Sequence, residues 1–226
     1  MIRRVADKLG TSLRERVTFV GGVTTALLLT DPASPDVRPT RDVDVVVEIM
    51  GYPSYAQLSE ELRERGFQES GGAVICRWHT DDLILDVMPT DEAILGFTNR
   101  WYPEAVATAQ RITLPTLTGE EPEIHIRLIS ALCFVATKIE AFYGRGNGDY
   151  YASHDLEDVV TVVNGRAELV KEIGEDIISL FVARTFADWL ALPGFTDVLE
   201  GHLPEQGRYR IVLSRFHTVA TKHGGT

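Results

Sequence analysis

The first part of the chain alternates between helical and extended patterns of apolar positions. Residues 3–16 carry apolar side chains at helical spacing among charges, which predicts a short amphipathic surface helix. Residues 17–20 are rich in β-branched side chains and predict a strand, which the pair Gly21-Gly22 ends. Residues 23–30 return to a helical pattern, and the valine-rich run at 42–49 predicts a second, interior strand.

The rest of the chain changes from extended to helical patterns. One more helix is expected at residues 55–65, and strands are expected at 74–79, 83–88, 111–114 and 124–127. From residue 130 the pattern predicts helices at 130–143, 153–163, 168–191 and 208–219. These elements predict an α+β fold, with a mixed-sheet core at residues 1–115 and a helical lobe at residues 116–226.

Composition and charge are those of an ordinary globular protein. The formal charge is −11, from 33 acidic and 22 basic side chains, so the surface as a whole is not that of a dedicated nucleic-acid-binding protein. The only two cysteines, Cys76 and Cys133, lie far apart and predict neither a disulfide framework nor a zinc site, which favours a reducing cytoplasm. No apolar run approaches the roughly 18 residues of a membrane span, so no membrane is expected as a partner.

Three isolated carboxylates lie on two apolar strands. In residues 42–49 (DVDVVVEI), Asp42 and Asp44 share one face because side chains two residues apart point the same way. Asp86 stands alone in the apolar run 83–88 (LILDVM). Three carboxylates at one sheet edge repel one another and are costly to bury unless a cation joins them. Hard oxygen ligands suit Mg²⁺, so the sequence predicts a divalent metal site at these three residues.

The pair Gly21-Gly22 stands between a predicted strand and a predicted helix. Backbone N–H groups and the helix dipole at such a helix start can meet phosphate oxygens with no side chain in the way. A phosphate contact on one side and a metal on the other indicate a nucleoside triphosphate as the ligand.

These motifs resemble the DNA-polymerase-beta-like nucleotidyltransferase superfamily, in which a glycine turn, a helix, an Asp-x-Asp strand and a third acid follow one another. Gly21-Gly22, Asp42-Val43-Asp44 and Asp86 match this order. Within that superfamily the chain is similar to the AbiEii/MenT-type toxin group in four blocks: residues 40–44 (TRDVD), 136–142 (ATKIEAF), 145–146 (RG) and 153–158 (SHDLED). The matching blocks span roughly residues 17 to 165, which is most of the chain.

The resemblance implies a mixed-sheet nucleotidyltransferase core that moves a nucleoside monophosphate from an NTP to an acceptor hydroxyl and releases pyrophosphate. It implies that Asp42 and Asp44 bind Mg²⁺, with two ions expected, and that Asp86 holds the catalytic ion and accepts the hydroxyl proton. It also implies that Lys138, in the helical lobe, neutralises triphosphate charge. Asp155 would orient Lys138 or take part in proton transfer.

The nucleotide contacts that the resemblance implies include the glycine turn and several side chains. Gly22 is followed by valine, whereas the family commonly has a Gly-Ser turn, so a hydroxyl contact to phosphate would come from Thr24 or Thr25. The full set of predicted nucleotide-binding residues is Gly21, Gly22, Thr24, Thr25, Arg41, Lys138 and Arg145.

Each of these residues also has a structural interpretation. The paired aspartates can form a strand-end turn or an ion pair with Arg41, and the glycine pair can be an ordinary turn. Lys138 can extend from an apolar helix to solvent. Asp155 can belong to the helix start that follows Ser153.

The acceptor and the class of function stay open at this point. The leading interpretation is an AbiEii/MenT-like toxin that modifies RNA, with the 3′ end of tRNA as acceptor and a cognate antitoxin as partner. A second interpretation keeps the chemistry and changes the acceptor to a small molecule such as an antibiotic. A third is a catalytically idle regulatory module of the same fold.

Overall fold

The structure of the chain is a computed structural model. It describes residues 1–34, 36–71, 75–116, 119, 121–145, 148–203 and 206–222. Four residues that take part in predicted loops, strands or motifs lie outside the described residues: Pro35, Val74, Gly146 and Asn147. The chain divides into two compact units. Unit 1 contains Met1–Thr24 and Pro39–Ser130, and unit 2 contains Thr25–Arg38 and Ala131–Thr226.

Strands and helices are numbered in chain order. The strands are β1 (Val17–Val20), β2 (Val43–Val47), β3 (Gln68–Glu69), β4 (Arg77–Thr80), β5 (Leu83–Pro89), β6 (Gln110–Thr113) and β7 (His125–Leu128). The α-helices are α1 (Ile2–Arg14), α2 (Thr25–Leu28), α3 (Tyr52–Glu64), α4 (Glu92–Leu95), α5 (Tyr102–Ala107), α6 (Ala131–Arg145), α7 (His154–Gly165), α8 (Leu169–Glu172), α9 (Ile177–Leu190), α10 (Phe195–Gly201) and α11 (Tyr209–Thr221).

Unit 1 contains a seven-stranded mixed sheet in the order β3-β4-β5-β2-β1-β7-β6. Strand β2 runs parallel to β5 and antiparallel to β1, and β1 runs parallel to β7. The valine-rich β2 lies in the middle of the sheet, and its four valines are at most 2% exposed. A strand that is buried on both faces has apolar residues at successive positions. This explains why every position of β2 except that of Asp44 is valine.

The predicted α+β class, with a mixed sheet and a helical C-terminal part, is confirmed. The strands predicted at 17–20, 42–49 and 83–88 are present as β1, β2 and β5. The helices predicted at 130–143, 153–163 and 208–219 are present as α6, α7 and α11, each within a few residues of the expected bounds.

The helix predicted at residues 23–30 is wrong in length. A 3₁₀ turn at Gly22–Thr24 leads into the single helical turn of α2. The N–H groups of Thr30 and Asp31 both donate to the carbonyl oxygen of Gly165, at 2.9 Å each. Glycine and β-branched residues favour a helix weakly, and these hydrogen bonds draw the following backbone away from a helical path.

The long helix predicted at residues 168–191 is divided into α8 and α9. Asp176 is the N-cap of α9, and its side chain accepts hydrogen bonds from the N–H groups of Ile178 and Ser179. A cap of this kind satisfies N–H groups that have no partner inside the helix, so it starts a new helix within a continuous apolar pattern.

The core of unit 2 is an aromatic cluster between helices. Phe186 stacks on Phe216, with ring centroids 4.2 Å apart, and on Trp189 at 5.8 Å. Trp189 also meets Phe142 edge to face and packs on Phe195. These five side chains are almost completely buried, so their apolar area accounts for much of what holds the unit together.

Residues 116–130, which the sequence places in the helical lobe, group with unit 1. The reason is β7, which pairs with β1 and β6 and so belongs to the sheet. Within the described residues, no single helix has the length and apolar character needed to cross a membrane, and only α9 and α10 together, bent by 106°, pass that test.

Candidate functional site

The three predicted aspartates meet on one face of the sheet in unit 1. Asp44 on β2 and Asp86 on β5 are direct partners in the parallel register of the two strands. Asp42 lies two residues before Asp44, on the same face. Asp86 is buried at 7% exposure, whereas Asp42 and Asp44 are half-buried. We call this set, with Arg77, the carboxylate cluster.

Arg77 on β4 is the cation of the carboxylate cluster. It is the register partner of Asp86 across the β4/β5 pair. Its Nε donates to Asp86 Oδ1 at 2.8 Å and its Nη2 to Asp86 Oδ2 at 2.7 Å, so the guanidinium binds both oxygens. The same Nη2 donates to Asp42 Oδ2 at 2.9 Å. Its hydrogen bonds to Asp86 raise the pKa of Arg77 above the ordinary value, against the opposing effect of partial burial.

The sequence-based assignment of the site did not include Arg77, although a signal for it is present. The turn at Asp81-Asp82 joins β4 and β5, with Asp81 at a positive φ of 51°. Pairing from this turn places Thr80 opposite Leu83 and therefore Arg77 opposite Asp86. A two-residue hairpin turn sets the register of its strands, so counting back from the turn finds the partner.

The negative charge of the carboxylate cluster acts on a neighbouring cysteine. The neighbouring thiol of Cys76 is buried, at 3% exposure. Burial, together with the charge of Asp86, raises the pKa of Cys76 to about 11. Burial is the larger cause, and at this thiol the charge of Asp86 raises the pKa more than the charge of Arg77 lowers it.

Gly21 is required by the position of Asp44. Its φ is +72°, a conformation that L side chains rarely adopt. A Cβ atom at this residue would lie 1.9 Å from Asp44 Oδ2 and 2.6 Å from Asp44 Cγ. Gly21 directly follows Val20, the β1 partner of Asp44. The absence of a side chain thus lets the carboxylate lie against the backbone of the turn.

The other predicted phosphate contacts of this region differ in accessibility. Thr24 and Thr25 are both fully buried. The Thr24 hydroxyl donates to the Gly21 carbonyl oxygen at 2.8 Å, and the Thr25 hydroxyl has no hydrogen-bond partner among the described residues. Gly22 is half-buried and Arg41 is exposed. Because the helix after the glycine turn is a single turn, its dipole contributes little to phosphate binding.

The carboxylate cluster suits a hard cation in its chemistry, since it offers carboxylate oxygens from three residues on one sheet face. Within the part of the chain that the structure describes, however, no group of three or more His, Cys, Asp or Glu side chains is arranged to hold a metal ion. Arg77 occupies both oxygens of Asp86 and one oxygen of Asp42. The arrangement therefore places an organic cation where the sequence predicts a metal.

Unit 2 contains the second group of predicted site residues. Lys138 on α6 is buried, and its Nζ lies 3.1 Å from Asp155 Oδ1 and 2.6 Å from Asp158 Oδ2, both on α7. Arg145 donates two hydrogen bonds to Asp155, at 2.9 and 3.0 Å. The side chain of Arg38 lies 3.6 Å from Asp158. We call these five residues the lysine cluster.

Electrostatics in the lysine cluster favour the ionised form of both partners. Burial acts to lower the pKa of Lys138, but the charges of Asp158 and Asp155 outweigh it and hold that pKa above its ordinary value. Burial likewise acts to raise the pKa of Asp155, and hydrogen bonds from Arg145 with the charge of Lys138 lower it instead. A buried ammonium paired with two carboxylates is held in place and does not extend to solvent.

Asp158, like Arg38, is a member of the lysine cluster that the sequence-based assignment missed. It lies three residues after Asp155 on α7, and residues at this spacing share one helix face. Ser153 is the N-cap of α7 and accepts a hydrogen bond from the N–H of Leu156. Asp155 is therefore not the N-cap residue of α7, and its side chain faces Lys138. The spacing alone indicated that a lysine reaching Asp155 could also reach Asp158.

No protein-family model matches the sequence, and no curated protein matches it.

Proposed function

We propose that the chain is a magnesium-dependent nucleotidyltransferase with a nucleotidyltransferase core in unit 1. The observation that carries the proposal is the pairing of Asp44 with Asp86 on adjacent parallel strands, with Gly21 packed against Asp44. This is the geometry expected of a glycine turn, an Asp-x-Asp strand and a third acid. Carboxylate oxygens are ligands that Mg²⁺ prefers, and Mg²⁺ is commonly bound by carboxylates together with substrate phosphates. Three carboxylates beside a turn without side chains therefore suit a magnesium-bound triphosphate.

The residues of the carboxylate cluster have distinct parts in this proposal. The acceptor hydroxyl oxygen attacks the α-phosphorus of the NTP, and the bond from that phosphorus to the bridging oxygen of pyrophosphate breaks. Asp86 accepts the hydroxyl proton. Gly21 lets the Asp44 carboxylate lie against the backbone of the glycine turn. Arg77 holds Asp86 and Asp42 in place and offsets part of their mutual repulsion.

Asp42, Asp44 and Asp86 would hold the magnesium, which when bound supplies positive charge at the attacking and leaving oxygens. Two ions are expected from the family resemblance. Lys138 and Arg145 are the candidates for triphosphate contact in unit 2, also on the resemblance, and Asp155 would orient Lys138 or take part in proton transfer. Their mutual ion pairs give them a structural part as well.

The acceptor and partners follow from the resemblance to the AbiEii/MenT-type toxins. We propose RNA as the acceptor, with the 3′ end of tRNA as the first hydroxyl to test, and a cognate antitoxin protein as partner. The two cysteines are buried and form no disulfide, which agrees with the cytoplasm as the compartment.

Transfer of an α-phosphate label tests the proposal. The purified chain is incubated with magnesium, total RNA and each α-labelled ribonucleoside triphosphate in turn, beside Asp44→Asn and the matched variant Asp7→Asn. Asp7 is exposed on α1, so that variant makes the same chemical change outside the site. We expect labelled RNA with the unaltered chain and Asp7→Asn, and at least a hundredfold less with Asp44→Asn.

Other distributions of label contradict parts of the proposal. Equal labelling by Asp44→Asn and the unaltered chain would show that the carboxylate cluster is not the site. Label that reaches an added small hydroxylated molecule and not RNA would replace the acceptor. Transfer of a γ-phosphate label would make the chain a kinase.

One observation favours a second candidate, a catalytically idle regulatory module of the same fold. Arg77 already pairs with Asp86 and Asp42 through three hydrogen bonds. In an idle module this arrangement is permanent, and neither magnesium nor triphosphate binds. Calorimetry with magnesium and a non-hydrolysable NTP analogue separates the two candidates, because only the enzyme is expected to bind both ligands.

A further inference from the structure

A pocket of about 320 Å³ lies in unit 1, between the end of α1 and the strands β6 and β7. Its charged and titratable lining consists of Arg14, Glu15, Arg111, His125 and Arg127. We call it the basic pocket. Three arginines against one glutamate give it a positive charge, although the chain as a whole carries −11. Positive charge concentrated in an acidic protein calls for a specific explanation.

The arginines of the basic pocket are held mainly by backbone atoms. Arg14 Nη1 donates to the Ala6 carbonyl oxygen at 2.9 Å, and Arg127 Nη2 donates to the Val106 carbonyl oxygen at 2.7 Å. A neutral carbonyl fixes a guanidinium without cancelling its charge. Arg111 has a carboxylate neighbour in Glu15, but the two are 3.9 Å apart and both are largely exposed. Such a pair neutralises little.

The strand register brings like charges together in the pocket. Arg111 on β6 is the direct partner of Arg127 on β7, and like charges at paired positions destabilise a sheet. Thr113 is the partner of His125 on the same face, and its hydroxyl lies 3.0 Å from His125 Nδ1. A bound anion would relieve this repulsion and accept hydrogen bonds from the guanidinium groups.

We propose that the basic pocket binds phosphate groups of a single-stranded RNA. Planar guanidinium groups recognise phosphate through paired hydrogen bonds. His125 and Arg127 are two residues apart on one strand, or about 7 Å, so the donors extend farther than a single phosphate group. Arg111 is 66% exposed on the edge strand β6, which leaves room for an extended ligand. The choice of RNA rests on the proposed function, whereas the pocket's charge and geometry do not.

Fluorescence anisotropy with a labelled 20-nucleotide single-stranded RNA tests the inference. The titration uses the full chain in EDTA without NTP, so its outcome is independent of nucleotidyl transfer. Arg111→Glu is compared with Arg184→Glu, which makes the same charge change at an exposed residue of α9 in unit 2. We expect Arg111→Glu to weaken binding at least tenfold and to reduce the salt dependence, while Arg184→Glu stays within twofold of the unaltered chain.

A second variant and a second ligand complete the test. Arg111→Lys keeps the charge and is expected to lose less than fivefold in affinity, which would show that the charge at this position, and not the loss of arginine as such, determines RNA binding. Equal affinities of Arg111→Glu and Arg184→Glu would overturn the inference, as would no RNA binding by the unaltered chain. Inorganic phosphate, added at the same concentration of negative charge as the RNA, is expected to compete only weakly with the RNA for the basic pocket. Tight phosphate binding without RNA binding would assign the pocket to a free phosphate instead.

Discussion

Arg77 and Asp86 face each other across two paired strands, and the guanidinium binds both oxygens of the carboxylate at 2.8 and 2.7 Å. The same guanidinium reaches Asp42 at 2.9 Å. On a sheet face that also carries Asp44, it is the cation that allows buried and half-buried carboxylates to lie close together. Both proposed functions of unit 1 depend on what this guanidinium does when another cation is present.

Replacing Arg77 by Met is expected to destabilise the chain by about 2–3 kcal/mol, between the values for exposed and buried ion pairs. The loss arises because Asp86 stays buried without its partner. Urea unfolding at pH 7 measures it, with Arg63→Met as the control. Arg63 pairs with Glu60 and Glu69 on the surface, so a change below about 1 kcal/mol is expected there.

Magnesium should restore more stability to Arg77→Met than to the unaltered chain, because the variant lacks the competing guanidinium. The measurement is the shift of the urea midpoint on adding magnesium chloride. Identical shifts in the two proteins would speak against a metal at the carboxylate cluster and for the idle module.

Gly21→Ala is expected to lose nucleotidyl transfer and to be destabilised by more than the roughly 1–3 kcal/mol of its strained backbone conformation. A Cβ at this position would lie 1.9 Å from Asp44 Oδ2, so the carboxylate must move. Gly96→Ala is the matched control, because Gly96 also has a positive φ, of 78°, but a Cβ there meets nothing within 4 Å. Equal activity of the two variants would refute the importance of this contact.

Lys138→Met is expected to cost about 3–5 kcal/mol of stability, the range for removing one partner of a buried ion pair. Asp155 and Asp158 would both stay buried without their shared ammonium. Lys171→Met, at an exposed lysine of α8, should change stability by less than about 0.5 kcal/mol. Thermal or urea unfolding measures the free energy of unfolding of both variants and of the unaltered chain. A small effect of Lys138→Met would mean that Arg145 and Arg38 suffice as cations.

The depressed pKa of Asp155 predicts a specific acid dependence of stability. A carboxyl group whose pKa is lower in the folded chain stabilises it above the unfolded value of about 3.9. That contribution is lost as the pH falls through the folded pKa. The unaltered chain should therefore exceed Asp155→Asn in stability at pH 7, and the difference should shrink below about pH 3.9.

The control for the acid dependence is Asp188→Asn, an exposed residue of α9. Because the side chain is exposed, this substitution is expected to change the stability at pH 7 by less than about 0.5 kcal/mol. If the difference in stability between the unaltered chain and Asp155→Asn does not shrink as the pH falls, the ion pairs of Asp155 do not contribute to folding.

Local patterns in the sequence were sufficient for the elements that carry the site. The valine run of β2 and the apolar run of β5 predicted two interior strands, and each strand was found with its isolated aspartate. The helices α6 and α7, which carry Lys138 and Asp155, were also predicted close to their bounds. These elements could be predicted because burial on one or both faces determines which positions along a helix or strand are apolar.

The sequence by itself determined the strand faces on which the aspartates lie and the spacing of Asp155 and Asp158. Only the tertiary structure decided which cation joins each group: Arg77 at the carboxylate cluster and Lys138 between two carboxylates on another helix. It also decided that residues 25–38 group with the helices of unit 2 and that β7 completes the sheet of unit 1. The physical reason is that periodicity reports burial of one element, whereas an ion pair or a strand pairing depends on two segments distant in the chain.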